Sequence, residues 1–309
     1  MSVVIDPDPV TVRVPGKINL SLGVGPQRPD GYHELVTVFQ AVSLHDEVEA
    51  SPAERLEVLV EGEEARGVPL GPDNLAHRAA VLLARRAGVA PNVRLLIRKS
   101  IPVAGGMAGG SADAAATLVA CDALWRTGLD RASLLELAAT LGSDVPFCLH
   151  GGTAVGRGRG EVITPALAHG RFEWVLALAE GGLPTPAVFT ECDRLRSGRP
   201  VPAPQVPDAL MAALRAGDPA ALGEALGNDL QAAACSLDPR LRQTIEVGRA
   251  AGALGAVVSG SGPTVAFLAA DADDALDLAV SLGAAGVCRA ARHAHGPVPG
   301  ARVVLGGAC

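Results

Sequence analysis

The sequence predicts an α+β fold arranged in two layers, and three observations support this prediction. The N-terminal half begins with a long alternating strand over residues 10–24, which is followed by shorter strands. An apolar strand, a glycine-rich loop and an Ala-rich helix then follow one another over residues 93–125. From residue 172 onward, strands and helices alternate in an order close to a split β-α-β arrangement.

Composition and charge limit the classes of protein to which the chain can belong. Of its 309 residues, 49% are hydrophobic and 19% are charged, so the chain can bury a sizeable core. Its net charge of −7 disfavours a nucleic-acid-binding protein, because such a protein needs positive side chains for phosphate contacts. No apolar run reaches the length of a membrane-spanning helix, so we expect no membrane partner.

The cysteines and the N-terminal segment together favour a cytoplasmic location. None of the six cysteines forms a Cys-x-x-Cys pair, which disfavours a zinc or redox site; they are Cys121, Cys148, Cys192, Cys235, Cys288 and Cys309. The first ten residues, MSVVIDPDPV, carry acids and prolines instead of the basic and then apolar pattern of a secretion signal. We therefore expect reduced cysteines and a cytoplasmic protein.

The first strand places polar side chains together on one face. Lys17, Asn19 and Ser21 share the face opposite the apolar positions. Pro15 and Gly16 come directly before them and predict a β-bulge. A solvated polar surface is one interpretation of this face. A functional site is the other, because a bulge often redirects a side chain into a site.

Two ring-bearing residues follow a turn cluster at residues 27–31. Tyr32, the single tyrosine of the chain, stands next to His33, and a strand is predicted directly after them at 36–42. Such a pair can stack on a ring-shaped ligand and hydrogen-bond to it. Aromatic residues on the surface of a hairpin are the alternative interpretation.

The glycine-rich loop indicates an anion-binding site. Gly105, Gly106, Gly109 and Gly110 stand within six residues, and we expect Ser111 to be the N-cap of the following helix. Unpaired N–H groups and the positive end of the helix dipole then face one point. No lysine follows the last glycine, and no two glycines are separated by a single residue, so neither a P-loop nor a Rossmann turn is predicted. A flexible entry to a helix is the alternative to a phosphate loop.

The remaining segments have clear boundary signals. A helix over residues 74–87 is predicted to begin after Asp73 as N-cap and to end at Gly88. Asp144 lies between a helix at 133–141 and a proline, which fits either an N-cap or a buried catalytic carboxylate. Residues 255–264 predict two strands around a loop of small residues, which is either a plain hairpin turn or a close approach to a ligand of the other domain. Further strands are predicted at 56–60, 172–179, 287–290 and 302–305, and further helices at 187–195, 208–216, 218–226, 239–251 and 273–282.

Three motifs together resemble those of the GHMP kinase family, which includes galactokinase and the homoserine and mevalonate kinases. They are PGKINLSL from Pro15, PVAGGMAGGSADAA from Pro102 and GAVVSGSGPTVAFL from Gly255. Four further segments resemble one branch of that family, namely RPDGYHELVTVFQAVSLHDEV (28–48), GSDVPF (142–147), LPTPAVF (183–189) and Asn228-Asp229. The resemblance covers residues 12–290.

The resemblance implies a fold, a domain division and a reaction. The fold would be a ribosomal-protein-S5-domain-2-like domain over residues 1–165 and a ferredoxin-like α+β domain over 166–309, with the active site in the cleft between them. The reaction would be the ATP-dependent phosphorylation of the 2-hydroxyl of a cytidine-diphosphate-linked polyol in the non-mevalonate isoprenoid pathway. ATP and Mg²⁺ would take part, and the protein would be a monomer or homodimer that binds no nucleic acid.

The resemblance also implies a set of site residues. Lys17 and Asp144 would be the catalytic pair, with Asn19 beside them at the substrate. Asn74, Leu75 and Lys99 would lie near the adenine and ribose of ATP. Tyr32, His33, Thr185 and Phe189 would bind the cytidine part. The ATP phosphate loop would comprise Pro102, Val103, Ala104, Gly105, Gly106, Met107, Ala108, Gly109, Gly110, Ser111 and Ala112.

Two departures from the family pattern bear on ATP binding. Ala104 replaces a glycine that is frequent in the family, and we expect it to keep a negative φ because its methyl group disfavours positive values. Asp113 stands where relatives often carry Asn, and a carboxylate in the first helical turn would repel a nearby triphosphate. The metal ligands stay undefined, with the Ser111 hydroxyl as the candidate.

Two other functions remain open at this stage. A GHMP kinase that acts on another small alcohol, such as homoserine or mevalonate, would share the phosphate loop but would not need residues for a base. A non-catalytic nucleotide-binding member of the family would be expected to lack Lys17 or Asp144, and both are present.

Overall fold

The computed structural model of the protein describes residues 8–304 and contains one large mixed sheet and one smaller sheet. Residues 1–7 of the N-terminal segment, and Cys309, lie outside these residues. None of the helices within residues 8–304 is both long enough and apolar enough to cross a membrane.

The first half of the chain forms most of the large sheet, in which β1, β2, β4 and β3 follow one another and β12 (Arg302–Val303), from the second half, lies beside β1. The 20-residue β2 is long enough to pair with β1 along one edge and with both β4 and β5 along the other. The elements are β1 (Val10–Gln27), β2 (His33–Pro52), β3 (Glu57–Glu61), α1 (Leu75–Ala87), β4 (Val93–Arg98), α2 (Gly109–Trp125), α3 (Arg131–Leu141), α4 (Val145–His150), β5 (Thr153–Gly158) and β6 (Val162–Pro165).

The second half forms an antiparallel sheet of four strands in the order β11-β7-β10-β9. Since these are its fourth, first, third and second strands along the chain, the order is that of a split β-α-β fold, and the predicted α+β class is confirmed. The elements are β7 (Phe172–Leu178), α5 (Thr185–Arg196), α6 (Asp208–Ala216), α7 (Pro219–Ala225), β8 (Gly227–Asn228), α8 (Gln231–Leu237), α9 (Arg240–Ala250), β9 (Gly255–Val258), β10 (Val265–Ala269), α10 (Ala272–Ala284), β11 (Ala290–Gly296) and β12 (Arg302–Val303).

The two halves share hydrogen bonds and a core. Both β8 and β12 come from the second half, and both pair with β1 of the first. The Trp174 indole N–H on β7 donates to Gln40 Oε1 on β2 at 2.9 Å, and the Trp174 side chain belongs to the same apolar core as β1. A division of the chain at residues 165 and 166 therefore stays a prediction.

Several boundaries differ from those predicted. The N-cap of α1 is Asn74 and not Asp73, because the Asn74 side chain accepts the Ala76 N–H. The N-cap of α2 is Ala108, which places Ser111 inside the first turn. The short α8 was not predicted, since its N-cap is Leu230, which has no capping side chain. The last strand of the small sheet runs over Ala290–Gly296 instead of 287–290, because its Arg and His residues are weak strand signals.

The polar face of β1 is buried. The strand register shifts between Pro15 and Gly16, which confirms the predicted bulge. Lys17, Asn19 and Ser21 are 4%, 2% and 6% exposed, so the interpretation as a solvated surface is wrong. The second half of the protein comes close to this face, because a Cβ at Gly260 would lie 3.2 Å from Lys17 Nζ and 3.5 Å from Asn19 Oδ1.

Three buried ionisable side chains connect the two ends of the glycine-rich loop. The Lys99 ammonium forms ion pairs with Asp46 and with Asp113, the latter at 2.9 Å from Nζ to Oδ2. Asp46 Oδ1 also accepts the N–H groups of Ser100 (2.6 Å) and Ile101 (2.9 Å), where the chain enters the loop. Asp113 lies on α2, where the chain leaves it. The triad thus sets the spacing between strand β4 and helix α2.

The glycine-rich loop is also held by its carbonyl oxygens. The Ser259 hydroxyl donates to the Gly106 carbonyl at 2.9 Å, and the Thr264 N–H donates to the Gly105 carbonyl at 3.3 Å. The Lys17 N–H donates to the Met107 carbonyl at 3.2 Å. The loop of small residues at 259–262 therefore lies directly against the glycine-rich loop and is not a plain hairpin turn.

Substitution of Gly106 tests this contact between the loops. A Cβ at Gly106 would lie 2.0 Å from the Ser259 carbonyl oxygen, and the residue has φ of +76°. We expect Gly106→Ala to reduce the free energy of unfolding in urea by more than the ~1–2 kcal/mol that a left-handed backbone costs by itself. The control is Gly170→Ala, because Gly170 has φ of +78° and open space around it. Equal losses in the two variants would show that the contact contributes nothing to stability.

Substitution of Asp113 tests the buried triad through pH. Burial raises the pKa of the Asp113 carboxyl from its ordinary 3.8 to about 8, although Lys99 opposes this shift. The folded protein then holds a proton that the unfolded chain releases, so the free energy of unfolding falls as the pH rises through this range. We expect Asp113→Asn to flatten the dependence of stability on pH between about 5 and 8, measured by urea denaturation at each pH.

The control for this experiment is Asp277→Asn, which removes a carboxylate from the exposed face of α10. It should leave the pH dependence as it is in the unaltered protein. A profile that keeps its slope in Asp113→Asn would mean that Asp113 is already ionised in the folded state.

Candidate active site

A cavity of about 940 Å³ lies where the two halves meet, and all three sequence motifs contribute to its walls. It is lined by residues of β1, the glycine-rich loop, the loop at 259–262, α5 and the β5–β6 hairpin. The predicted site residues that line it are Lys17, Asn19, Tyr32, His33, Leu75, Pro102, Ala104, Gly105, Gly106, Ala108, Gly109, Gly110, Ser111, Asp144, Thr185 and Phe189.

The other predicted site residues lie behind or outside these walls. Met107 and Ala112 are fully buried in the core under the loop, whereas Val103 is 41% exposed on its outer surface. Lys99 belongs to the buried triad, and Asn74 caps α1. The side chains of Asn74 and Lys99 are therefore used within the protein, and a place for them near the adenine and ribose stays a prediction.

The Lys17 ammonium and the Asp144 carboxylate face each other across the cavity, with 3.9 Å between Nζ and Oδ2. Lys17 is held in place because its ammonium donates to Asn19 Oδ1 at 2.7 Å, and Asn19 Nδ2 in turn donates to Thr37 Oγ1 at 2.8 Å. The Phe39 ring lies 5.5 Å from Nζ on the other side. Sequence reasoning missed Thr37 and Phe39, since they are ordinary strand residues of β2.

The Asp144 side chain is available to a ligand. Asp144 stands at the N-cap position of α4, but its carboxylate makes no capping hydrogen bond to that helix. Its side chain is 31% exposed, whereas that of Lys17 is 5% exposed. The arrangement therefore combines a fixed cation with a carboxylate that is open to the cavity.

The backbone of the glycine-rich loop presents donors to the cavity. Every second residue of the loop has a positive φ angle, namely Ala104 (+54°), Gly106 (+76°) and Ala108 (+59°). The C=O and N–H of a trans peptide point in opposite directions. Since the carbonyls of Gly105, Gly106 and Met107 are bound elsewhere, the N–H groups that follow them face away from those partners. Such a curved run of N–H groups at the start of a helix is a site for anions.

Two expectations about this loop are wrong. Ala104 does not keep a negative φ, and the strain is tolerated where its Cβ packs against the bare backbone of Gly182. Asp113 does not face the cavity, because its carboxylate turns to Lys99 and is buried. Its Oδ1 atom lacks a hydrogen-bond partner among the described residues.

The far end of the cavity carries the ring-bearing residues. His33 and Phe189 stack with centroids 5.2 Å apart and planes at 27°, and His33 Nε2 lies 3.0 Å from Asp193 Oδ1. Tyr32 is 54% exposed, and the Arg159 guanidinium lies 5.3 Å from the centre of its ring. Sequence reasoning missed Asp193 and Arg159. For Asp193 a signal existed, because it follows Phe189 by one helical turn on α5.

Further residues of the second half shape the wall between the two ends. Thr185 Oγ1 lies 2.9 Å from Ser261 Oγ, which joins α5 to the loop at 259–262. The Asn228 amide donates to the carbonyls of Val258 and Gly260 at 2.7 Å each. Asn228 of the Asn-Asp pair therefore supports the loop that contacts the glycine-rich loop, whereas Asp229 accepts the Val24 N–H of β1 at 2.8 Å.

The side chains of residues 8–304 form no group of three or more His, Cys, Asp or Glu that could hold a metal ion. A cation at this cavity would therefore depend on oxygen ligands from a bound molecule or from water, together with one or two protein oxygens.

Comparisons with known proteins agree with this geometry. The family model for the GHMP kinases N terminal domain matches residues 74–152, and that for the GHMP kinases C terminal domain matches residues 210–288. The 4-diphosphocytidyl-2-C-methyl-D-erythritol kinase of Nocardia farcinica is 60% identical over 298 residues, which are 96% of this chain and 97% of the relative. The kinase of the same description from Thermobifida fusca is 60% identical over 306 residues, with 96% and 99% covered.

Solved structures show the same similarity. A crystal structure of 4-(cytidine 5'-diphospho)-2C-methyl-D-erythritol kinase is 36% identical, with a TM-score of 0.74 and coverage of 92% of this chain and 98% of that one. A homoserine kinase from Cytophaga hutchinsonii has a TM-score of 0.74 at 17% identity, covers 98% and 99% of the two chains, and shows the shared fold alone. From the two matching family models and the full-length relatives, the chain belongs to the GHMP kinase family.

Proposed function

We propose that the protein transfers the terminal phosphoryl group of ATP to the 2-hydroxyl of 4-diphosphocytidyl-2-C-methyl-D-erythritol, with ADP and the 2-phosphate as products. One observation carries the proposal. A single cavity contains an anion-binding loop, a Lys–Asp pair and a group of rings, with the Lys–Asp pair facing the loop. The names of relatives at about 60% identity over nearly the whole chain supply the substrate.

The glycine-rich loop would bind the triphosphate. Residues of its curved segment and of the first turn of α2 line the cavity, and Gly109 and Gly110 would allow phosphate oxygens to approach the backbone closely. Phosphoryl transfer requires mainly positioning and charge stabilisation. A loop whose carbonyl oxygens are already hydrogen-bonded within the protein would provide positioning and charge stabilisation without rearranging during the reaction.

Asp144 would accept the proton of the attacking hydroxyl or orient that hydroxyl. Its carboxylate is open to the cavity and is not hydrogen-bonded to its own helix. The Lys17 ammonium would place positive charge beside the transferring group, where negative charge develops on the oxygens. Asn19 and Thr37 would keep that ammonium in place.

The residues at the loop fit Mg²⁺ as a companion of ATP. The Ser111 hydroxyl and the Asp144 carboxylate both line the cavity, and a Cβ placed on Gly142 would lie 4.0 Å from Ser111 Oγ. Hydroxyl and carboxylate oxygens suit a hard cation, which takes its other ligands from phosphates and water. When bound, Mg²⁺ neutralises charge on the phosphate oxygens.

The ring-bearing end would bind the cytidine. The His33 imidazole and its partner Asp193 offer hydrogen-bonding groups for the edge of a base. Tyr32 and Phe189 offer flat faces, and stacking of one base on an aromatic side chain contributes roughly 1–3 kcal/mol. A kinase for a substrate without a base would have no use for these four side chains.

A substrate comparison tests the proposed function. The purified protein should consume ATP rapidly with 4-diphosphocytidyl-2-C-methyl-D-erythritol and at background rates with homoserine, mevalonate and galactose. The product should carry its new phosphate on the 2-hydroxyl, as read by phosphorus NMR. Preferential use of homoserine or mevalonate would contradict the proposal.

Substitution of Asp144 tests its assigned role. Asp144→Asn keeps the shape of the side chain but removes the base, so kcat should fall by roughly 10²–10⁴-fold while the Kd for ATP changes by less than about threefold. Single-turnover assays and calorimetry give the two quantities. Asp130→Asn is the control, because this exposed N-cap of α3 can still cap as asparagine. If Asp144→Asn kept near-native turnover, the proton acceptor would be another group.

A further inference from the structure

Arg159 lies at a fixed place on the tip of the β5–β6 hairpin. Its N–H donates to Glu161 Oε2 at 2.6 Å, and the Gly160 N–H donates to the Arg157 carbonyl at 3.0 Å. On β5, Gly158 pairs with Leu35 of β2, two residues after His33. The hairpin therefore brings Arg159 to the side of the turn that carries Tyr32 and His33.

The hairpin tip lies between the two ends of the cavity. On one side, the Arg159 guanidinium lies 5.3 Å from the centre of the Tyr32 ring. On the other side, a Cβ at Gly160 would lie 3.6 Å from Cζ of Phe39, and the Phe39 ring is 5.5 Å from Lys17 Nζ. Arg159 therefore stands between the rings proposed for the base and the Lys17–Asp144 pair.

Arg159 is the cation of the cavity wall that remains available to a ligand. Among the described residues that line the cavity, Lys17 is the one lysine and Arg159 is the one arginine. Lys17 already faces Asp144 and donates to Asn19. The Nε atom of Arg159 forms an ion pair with Glu161 Oε1 at 3.8 Å, which is too long for a hydrogen bond, and the side chain is 46% exposed, so the guanidinium stays accessible from the cavity.

We propose that Arg159 binds the diphosphate of the substrate and thereby selects a nucleoside-diphosphate-linked alcohol. This inference rests on the proposed function. In that substrate the diphosphate separates the base from the reacting alcohol, and Arg159 stands between the sites proposed for those two groups. A planar guanidinium matches phosphate oxygens in a bidentate manner and can keep its packing on an aromatic ring at the same time.

Direct binding of CDP and cytidine tests this inference without turnover. The two probes share the base and ribose and differ in the diphosphate. With ADP saturating the phosphate loop, calorimetry on Arg159→Gln should show a Kd for CDP that is roughly 10- to 100-fold higher, as expected for loss of charged hydrogen bonds. The Kd for cytidine should change by less than about twofold. Tyr32→Leu, in contrast, should weaken both probes by similar factors because it removes the stacking surface.

The matched control is Arg157→Gln. Arg157 lies on the same hairpin and is exposed, so this variant removes the same charge at a position outside the cavity wall. It should leave the Kd for CDP unchanged. If both arginine variants lost the same amount of affinity for CDP, the effect would come from the overall positive charge of the hairpin, and the inference would be overturned. Equal losses for CDP and cytidine in Arg159→Gln would overturn it as well, because Arg159 would then act only by supporting Tyr32.

The outcome for Arg159 can be separated from that of the proposed function. If the protein does not phosphorylate the proposed substrate, but binds CDP more tightly than cytidine and loses this preference in Arg159→Gln, the proposed function fails and the diphosphate site stands. If the protein phosphorylates the substrate while Arg159→Gln binds CDP normally, the proposed function stands and the diphosphate site is wrong.

Discussion

The hydrogen bonds to three consecutive carbonyl oxygens, those of Gly105, Gly106 and Met107, determine what the rest of the site can do. Their donors come from the middle of β1 and from the segment between β9 and β10, so both halves of the chain orient neighbouring peptide units of one loop. Because a trans peptide is rigid, fixing one side of it aims the other. The anion binding that we propose for this loop would thus be a property of the assembled protein and not of the glycines alone.

Charge is distributed unequally around this loop. Behind it, the Lys99 ammonium lies between the buried side chains of Asp46 and Asp113, while the cavity in front is lined by the side chains of Lys17 and Arg159. The phosphates of a nucleotide would therefore be held chiefly by neutral backbone donors and the helix dipole. Because neutral donors would hold the phosphates, the Lys17 ammonium would be available to stabilise the negative charge that develops on the transferring phosphoryl group.

Local signals predicted much of the fold and the position of the glycine-rich loop, and contacts between distant residues account for what was missed. The strand, glycine-rich loop and helix were predictable because each depends on a short run of residues. Asp46 was not, because it meets Lys99 from 53 positions away on another strand. The positive φ of Ala104 depends on the close approach of Gly182, and an arginine in a glycine-rich hairpin gives no sign of facing a cavity. The roles of the side chains at the site are therefore proposals, whereas membership of the GHMP kinase family is shown by the comparisons.

The pairing of β12 with β1 has a consequence for how the chain is made. Val303 is the partner of Val12, so the two residues that complete this edge leave the ribosome about 290 positions apart. Until residues 302–303 have been made and have paired, the edge of β1 at residues 12–13 stays open to association with strands of other chains. The late pairing of β12 therefore closes an edge at which the incomplete protein can aggregate.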